Sequence, residues 1–512
     1  MERTKRRART TLFFISLLAL GGAAAPSSGR ADGTAVVSIY AAWTHTCAAT
    51  SLGDVACWGD NGWRQLGDGT DIYRTLPVKA TVLPSAATGV AAGYGHTCAL
   101  VPTQRVVCWG LNLEGQLGNG EQGQVESTPV GVAGLTTEVL RVVAGVGHSC
   151  ALTVASGVLC WGDDDQGELG NGEPQEDEPL PSQVGGLTGG VIDISAWLEH
   201  TCAVTDAGSV VCWGDNGNGQ LGDGTSGIGQ IRTSPVAVQG LDSPAVDVAA
   251  GGGHTCALLT QGSVRCWGSN YSGQLGNGTT VDSSLPVNVS GLPSDVTAVA
   301  AGLAHTCALT AGNGVWCWGW NEYGQLGDGT TTTPRYSGRS LPVRVEELGD
   351  GVVELTAGAL ITCALHSDGR AKCWGGPVGD GTLEARTTPV EPLFDLDRDG
   401  CADFHEEGAD PRHGGLRNPK SFWDFFDTPD AANARDRAVT VNDLARIVAR
   451  FGSTGDPAID PLSAPPASGY HPAFDRSPPG GGGDAWDAGP ANGAVGADDI
   501  AAAVAQFGHT CA

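Results

Sequence analysis

Two things are scarce in this 512-residue chain: basic side chains and long apolar runs. Lys and Arg number 28 against 56 Asp and Glu, a formal net charge of −28. A phosphate backbone repels such a chain, so nucleic acid is excluded as a partner. The apolar stretch from Leu12 to Ala25 has 14 residues, short of the roughly 20 a spanning helix needs. No other segment offers a membrane span. With Arg3, Lys5, Arg6, Arg7 and Arg9 ahead of it and Ala23-Ala24-Ala25 at its end, the stretch reads as a signal peptide over 1–25, with a linker at 26–34. The Arg6-Arg7 pair lacks the Phe-Leu expected of twin-arginine export, so general export is the expectation and the protein is read as secreted, extracellular or cell-surface associated. Removing residues 1–25 leaves 23 basic against 55 acidic side chains, a net −32.

Glycine is plentiful, 79 residues, but it recurs at fixed places among Trp, Val and Leu, as in a repeat protein. Fourteen of the 16 cysteines form seven equally spaced pairs: Cys47 with Cys57, Cys98 with Cys108, Cys150 with Cys160, Cys202 with Cys212, Cys256 with Cys266, Cys307 with Cys317 and Cys363 with Cys373. Successive pairs are 51 to 56 residues apart, a period that suits a four-stranded propeller blade. Each unit holds a β-rich run, "HTCAL", a turn, "VxCWG", a glycine-rich loop and a "PV" strand. Setting each cysteine opposite its partner leaves a three-residue turn, with Gly53, Gly208, Gly262 and Gly369 at its third position, where a left-handed residue is needed. The pairs then occupy non-hydrogen-bonded cross-strand sites, about 4.5 Å between α-carbons, within disulfide range. Helical hairpins are opposed by the intervening glycines and β-branched residues, and zinc sites prefer closer spacing.

"WGDNGNGQLGDGT", "WGSNYSGQLGNGT" and "WGWNEYGQLGDGT", each after a "G..HTCAL" strand, resemble the repeat of the regulator of chromosome condensation family. The resemblance spans about residues 35–392 and implies an all-β, seven-bladed β-propeller of four-stranded blades, with units near 35–78, 88–132, 139–184, 191–238, 246–289, 296–345 and 352–392. That family includes nucleotide-exchange factors, secreted β-lactamase-inhibitor proteins and many binders. Cysteine pairs are not general in it, and the seventh unit here shortens its loop to "WGGPVGDGT" and has Ile361 where the others have His. The last "PV" strand, with no following unit, is expected to complete the first blade and so remove open sheet edges.

His45, His96, His148, His200, His254 and His305 precede the first cysteine of their units. They read either as a metal ring or, preferably, as histidines bonding their own blade's turn. "GQLGDG" lacks the Lys-Ser/Thr ending of a phosphate loop and precedes no helix, so it reads as turn chemistry. No Ser, His and Asp constellation stands out, and no catalysis is expected. Strand direction puts the turn before each His and the loop after each Trp-Gly on one rim. Trp43, Tyr94 and Leu198 in the turns, with Trp63, Leu111, Leu113, Tyr271, Trp320 and Tyr323 in the loops, are therefore candidates for contacting an extracellular protein or glycan.

Composition shifts at residue 393. "DLDRDGCADFHE", 395–406, places Asp395, Asp397, Asp399 and Asp403 at loop positions one, three, five and nine and Glu406 at twelve. With the Cys401 carbonyl this is the ligand order of an EF-hand Ca2+ loop, assigned to 393–410. Pro392 argues against a long entering helix, so the loop is similar to thrombospondin type 3 and bacterial extracellular calcium repeats. "AVTVNDLARIVARFG" at 438–452 recurs as "AVGADDIAAAVAQFG" at 494–508 with eight identities in fifteen. Leu444, Ile447, Val448 and Phe451 have helical spacing, as do Ile500, Val504 and Phe507. The pair resembles the duplicated half of dockerin modules; this mostly helical segment, 411–512, contains a Pro/Gly-rich linker at 453–491. Cys401 and Cys511, the remainder, are expected to bridge. The functional expectation is a secreted non-catalytic propeller with a calcium-binding tail. The alternatives are a scaffold-docked component of a polysaccharide-processing or adhesion complex, and a secreted enzyme or enzyme inhibitor. Guanine-nucleotide exchange is opposed by export and acidity.

Overall fold

A computed structural model describes residues 35–394, apart from 82, 103–104, 174–175 and 334–336. The expected export segment, the expected calcium loop, Cys401, Cys511 and the segments expected to be dockerin-like lie outside the described residues. Those described form seven four-stranded antiparallel sheets, each built from four consecutive strands. In the first blade these are Val36–Ala41, His45–Thr50, Val55–Gly59 and Arg74–Lys79. The first strands of neighbouring blades touch all the way round, with Val352–Ala357 against Val36–Ala41, so they are the innermost.

The hairpin between the second and third strands follows from the cysteine spacing. Cys47 faces Cys57 in register, and Thr50 and Asp54 close the three-residue turn. Gly53 has φ +81° there, and Ser156 and Asn313 take the same left-handed position in the third and sixth blades at +61° and +60°. As the spacing predicts, Cys47 is bridged to Cys57, Cys98 to Cys108, Cys150 to Cys160, Cys202 to Cys212, Cys256 to Cys266, Cys307 to Cys317 and Cys363 to Cys373. In every bridge the α-carbons are 4.1 Å apart. Each closes a short loop, which in the chain-entropy model contributes about 2–3 kcal/mol.

Between blades the largest buried side chains are seven tryptophans, Trp58, Trp109, Trp161, Trp213, Trp267, Trp318 and Trp374. Their indole N–H groups need acceptors once buried. Six find one in the glycine-rich loop of the preceding blade: Trp109 donates to the Gln65 carbonyl at 2.9 Å, Trp267 to that of Gln220 and Trp318 to that of Gln274, both at 2.8 Å. The indole lies so close to the loop that a Cβ on Gly67 (φ +70°) would stand 2.6 Å from Trp109 Nε1. Only glycine fits.

The same carbonyls take a second donor. Thr97 Oγ1 donates to Gln65 O, Thr306 to Gln274 O and Thr362 to Gln325 O. Having given up its proton, each hydroxyl must accept from the histidine of the preceding blade, His45 to Thr97 and His254 to Thr306 at 2.8 Å and His305 to Thr362 at 2.9 Å. His96, His148 and His200 reach Ser149, Thr201 and Thr255 in the same way. The hydroxyls of Thr97, Ser149, Thr255, Thr306 and Thr362 all donate to a loop carbonyl, so His45, His96, His200, His254 and His305 are neutral with the proton on Nε2. Burial pushes His45, His96, His148, His254 and His305 down to about 3 and His200 to about 4. The expectation that each bonds its own blade's turn is corrected: the ring nitrogen crosses to the next blade, because the turn lies at a seam.

Closure also differs from expectation. The last "PV" strand, Arg386–Val390, pairs with Ala371–Gly375 in its own blade, so each of the seven described sheets is built from four consecutive strands and none is exchanged. The seam between seventh and first blades is made by Val36 N to Gly369 O (2.8 Å), Ala359 N to Ala42 O and Gly381 N to Thr75 O (both 3.0 Å). It lacks the relay found elsewhere: Ile361 replaces histidine, and Trp58 Nε1 is buried with no acceptor among the described residues. Phe394 instead packs edge-on against Trp58, ring centroids 6.0 Å apart.

Thr306→Val removes a hydroxyl that joins His254 to Gln274 O while keeping its shape. Chemical denaturation should show a loss of about 1–3 kcal/mol, the usual range for orphaning buried polar groups. Thr46→Val, at the seam with no histidine, should cost well under that; equal losses would contradict the relay.

Candidate partner-binding face

In every blade the residue after Trp-Gly donates to the carbonyl just before the histidine position: Asp60 N to Thr44 O, Asp215 N to Glu199 O, Gly376 N to Leu360 O. That bond ties the pre-histidine turn and the long loop to one end of the blade, so seven turns converge around the axis on one face. Their central residues are Trp43, Tyr94, Val146, Leu198, Gly252, Leu303 and Ala359. Trp43, Trp197, Leu198, Leu303 and Leu360 form one apolar cluster with Ala250 and Ala359. Trp43 lies 5.5 Å from Trp197 and 6.0 Å, edge-on, from Tyr94, measured between ring centroids. An apolar hub thus occupies the end of the channel, with Tyr94 37% exposed.

Trp43, Tyr94 and Leu198 come together in this hub, joined by Trp197, Leu303 and Leu360, which the sequence reading did not select. Trp197 was missed because it ends a strand instead of sitting at the centre of a turn. Trp63, Leu113 and Tyr271 stand exposed on the surrounding loops, and Tyr323 is half-buried. Leu111 and Trp320 are buried, Trp320 stacked edge-on with Tyr323 at 5.6 Å. These two pack the loops and do not face outward.

The glycine-rich loops behave as turn chemistry. Asn61 Oδ1 accepts from Leu66 N, and Asn61 Nδ2 donates to Asp68 Oδ1 and Thr70 O, all at 3.0 Å; Gln65 Nε2 donates to Asp60 Oδ2 at 3.1 Å. Asn112, Asn216, Asn270 and Asn321 repeat the asparagine pattern. The third blade departs from it, with Asp164 and Glu168 at the asparagine and glutamine positions. Burial, reinforced by Asp163, raises Asp164 to about 6 and Glu168 to about 9. Carboxylate oxygens of Asp163, Asp165 and Asp177 lie within 4.8 Å of one another. Glu114 is raised by burial and then by a hydrogen bond and charge from Asp177. Glu199 is raised by burial and then by Asp215, Asp163 and Asp165. An acidic crescent from the second to the fourth blade therefore borders the hub. "WGDDDQGELG", set beside "WGDNGNGQLG", carries the signal that would have found it.

The sequence matches the family model described as regulator of chromosome condensation (RCC1) repeat at residues 53–100, 105–152, 156–204, 207–258, 261–309 and 313–365. It is 30% identical over 394 residues to the ultraviolet-B receptor UVR8 of Arabidopsis thaliana, covering 74% of this chain and 87% of that protein. It is 33% identical over 316 residues to the probable E3 ubiquitin-protein ligase HERC6 of Homo sapiens, covering 60% of this chain but only 30% of HERC6. Among solved structures, Prp20p of Saccharomyces cerevisiae superposes with a TM-score of 0.60 at 20% identity, over 72% of this chain and 89% of that one. That likeness concerns the fold alone.

Proposed function

Because this chain belongs to the regulator of chromosome condensation repeat family, we propose that it acts as a non-catalytic binding propeller that docks a protein partner on the face carrying Trp43, Tyr94, Trp197, Leu198, Leu303 and Leu360. The observation that carries this reading is the apolar hub on the axis. Its aromatic rings are held by one another and by the blade ends, so they can bury area against a partner at little cost in side-chain entropy. Prp20p, which shares the fold, binds Gsp1p and histones, and that supports a protein as the occupant ahead of a glycan. The ligase activity in the name of HERC6 belongs to a protein of which this chain spans less than a third.

The proposed setting is extracellular. Seven disulfides support it, because such bonds persist in oxidising compartments, and so does the basic-then-apolar start. Ca2+ at Asp395, Asp397, Asp399, Cys401 O, Asp403 and Glu406 is part of the same proposal, resting on the ligand order. A Cys401–Cys511 bridge would hold the tail on that loop.

Two experiments test the reading. Crosslinking from the culture medium should recover the same partner with wild type and with Leu52→Ser, which alters an exposed residue on the opposite face. The Trp43→Ser/Tyr94→Ser variant should recover about tenfold less or lower still; undiminished recovery would move docking off the hub. Calorimetric titration of Ca2+ should lose its heat in Asp399→Ala/Glu406→Ala, and an unchanged isotherm would remove the ion from that loop.

A further inference from the structure

The hub has one gap. Six of the seven turns place a side chain at their centre, and the fifth, Gly251-Gly252-Gly253, places none. Glycine is required there: a Cβ on Gly252 would stand 2.4 Å from the Leu303 carbonyl and 2.7 Å from Leu303 Cδ1, so the neighbouring turn leans over one side of this backbone. Beside it a cleft of about 180 Å³ opens, bounded by Leu198, Glu199, Asp215, Asn218, Gln220 and the Gly252-Gly253 backbone. The cleft opens to solvent, so a partner side chain can enter it.

The chemistry of the cleft is one-sided. Asp215 is oriented by Gln220, whose Nε2 donates to Asp215 Oδ2 at 2.6 Å, and by Gly217 N on Oδ1 at 2.9 Å. The Glu199 carboxylate is exposed and makes no hydrogen bond or ion pair with a described residue. Asp163 and Asp165 add negative potential from the adjoining blade. Leu198 supplies an apolar wall continuous with the hub. Two carboxylates lining a part-apolar cleft suit a guanidinium on its aliphatic stem.

We infer that the Gly252 cleft is a specificity pocket for an arginine side chain, presented by a partner segment whose flanking apolar residues cover the hub. This rests on the docking reading above and adds to it the chemistry of the partner. The stem would lie along Leu198 and the glycine backbone, with the guanidinium between Glu199 and Asp215. The acidic crescent would favour other basic groups on the same segment and speed its approach.

The test uses the full-length oxidised protein and two pooled heptapeptide probes. Both have flanks of Leu, Phe, Trp and Gly; the central residue is arginine in one and citrulline, its neutral isostere, in the other. Wild type should retain the arginine pool about tenfold more strongly, as expected for one charge-assisted, part-buried pair. Glu199→Gln should remove the difference between the two pools. Leu303→Ser should weaken both pools. Equal retention of the two pools by wild type, or an arginine preference that survives in Glu199→Gln, overturns the pocket. If Leu303→Ser still weakens both pools, the docking reading stands without it. If neither pool binds wild type, or if Leu303→Ser leaves both pools unaffected, docking on the hub is overturned as well.

Discussion

A single backbone carbonyl per loop carries much of the organisation of this propeller. In five of the six histidine-bearing seams it accepts from both a tryptophan indole and a hydroxyl of the next blade, as Gln220 O does from Trp267 and Thr255 at 2.8 Å each. Burying the tryptophan supplies apolar area, on the order of 150–250 Å² per side chain, and leaves a polar N–H that must be satisfied in the dry seam. The loop carbonyl meets that need only if the loop holds its turn, and the turn holds only if Asn216 caps it and glycine fills the spot against the indole. Histidine closes the arrangement by donating to the hydroxyl. Packing, turn geometry and hydrogen bonding thus depend on one another, which explains why the loop and strand letters recur together.

Much of this was legible in the sequence because a repeat states the same constraint seven times. The equal cysteine spacing fixed the hairpin register, and Gly53, Gly208, Gly262 and Gly369 marked its left-handed residue. What the repeat could not state was direction. Equal positions reveal that His45 and His96 do the same thing, but not that each reaches into the following blade, because the contact joins residues 52 or more positions apart across a seam. Closure escaped for a related reason. Strand exchange and contiguous blades use the same strand count, and only the pairing of Arg386–Val390 with its own blade separates them. Burial of Leu111 and Trp320 was hidden too, since residue type alone does not distinguish a loop residue that packs inward from one that faces solvent.

The face proposed for docking is where that interdependence ends. Central turn residues such as Trp43, Val146 and Leu303 lie beyond the relay, so the chain varies them freely from blade to blade without loosening a seam. Variation gathered around one axis produces a surface with its own pattern: rings near the first, second and fourth blades, a gap at the fifth, and carboxylates alongside the second to fourth. The third blade takes this further by placing acids where its neighbours keep amides, so their carboxyls are raised by burial and mutual repulsion. Scaffold and surface are thus specified by different residues of the same repeat.

If the relay governs cohesion, the seam without it should open first. Native-state amide hydrogen exchange can compare matched groups: Val36 N, bonded to Gly369 O, with Ala245 N, bonded to Gly208 O, and Ala41 N, bonded to Thr356 Oγ1, with Ala250 N, bonded to Ser195 Oγ. The bond lengths match closely in each pair, while the seventh–first seam lacks both the histidine and the indole-to-carbonyl bond of the fourth–fifth seam. Val36 and Ala41, at the seventh–first seam, should exchange faster than Ala245 and Ala250, reporting a lower free energy of local opening. Equal or slower exchange at Val36 and Ala41 would show that the seams are held by packing alone and would contradict the central place given to the relay.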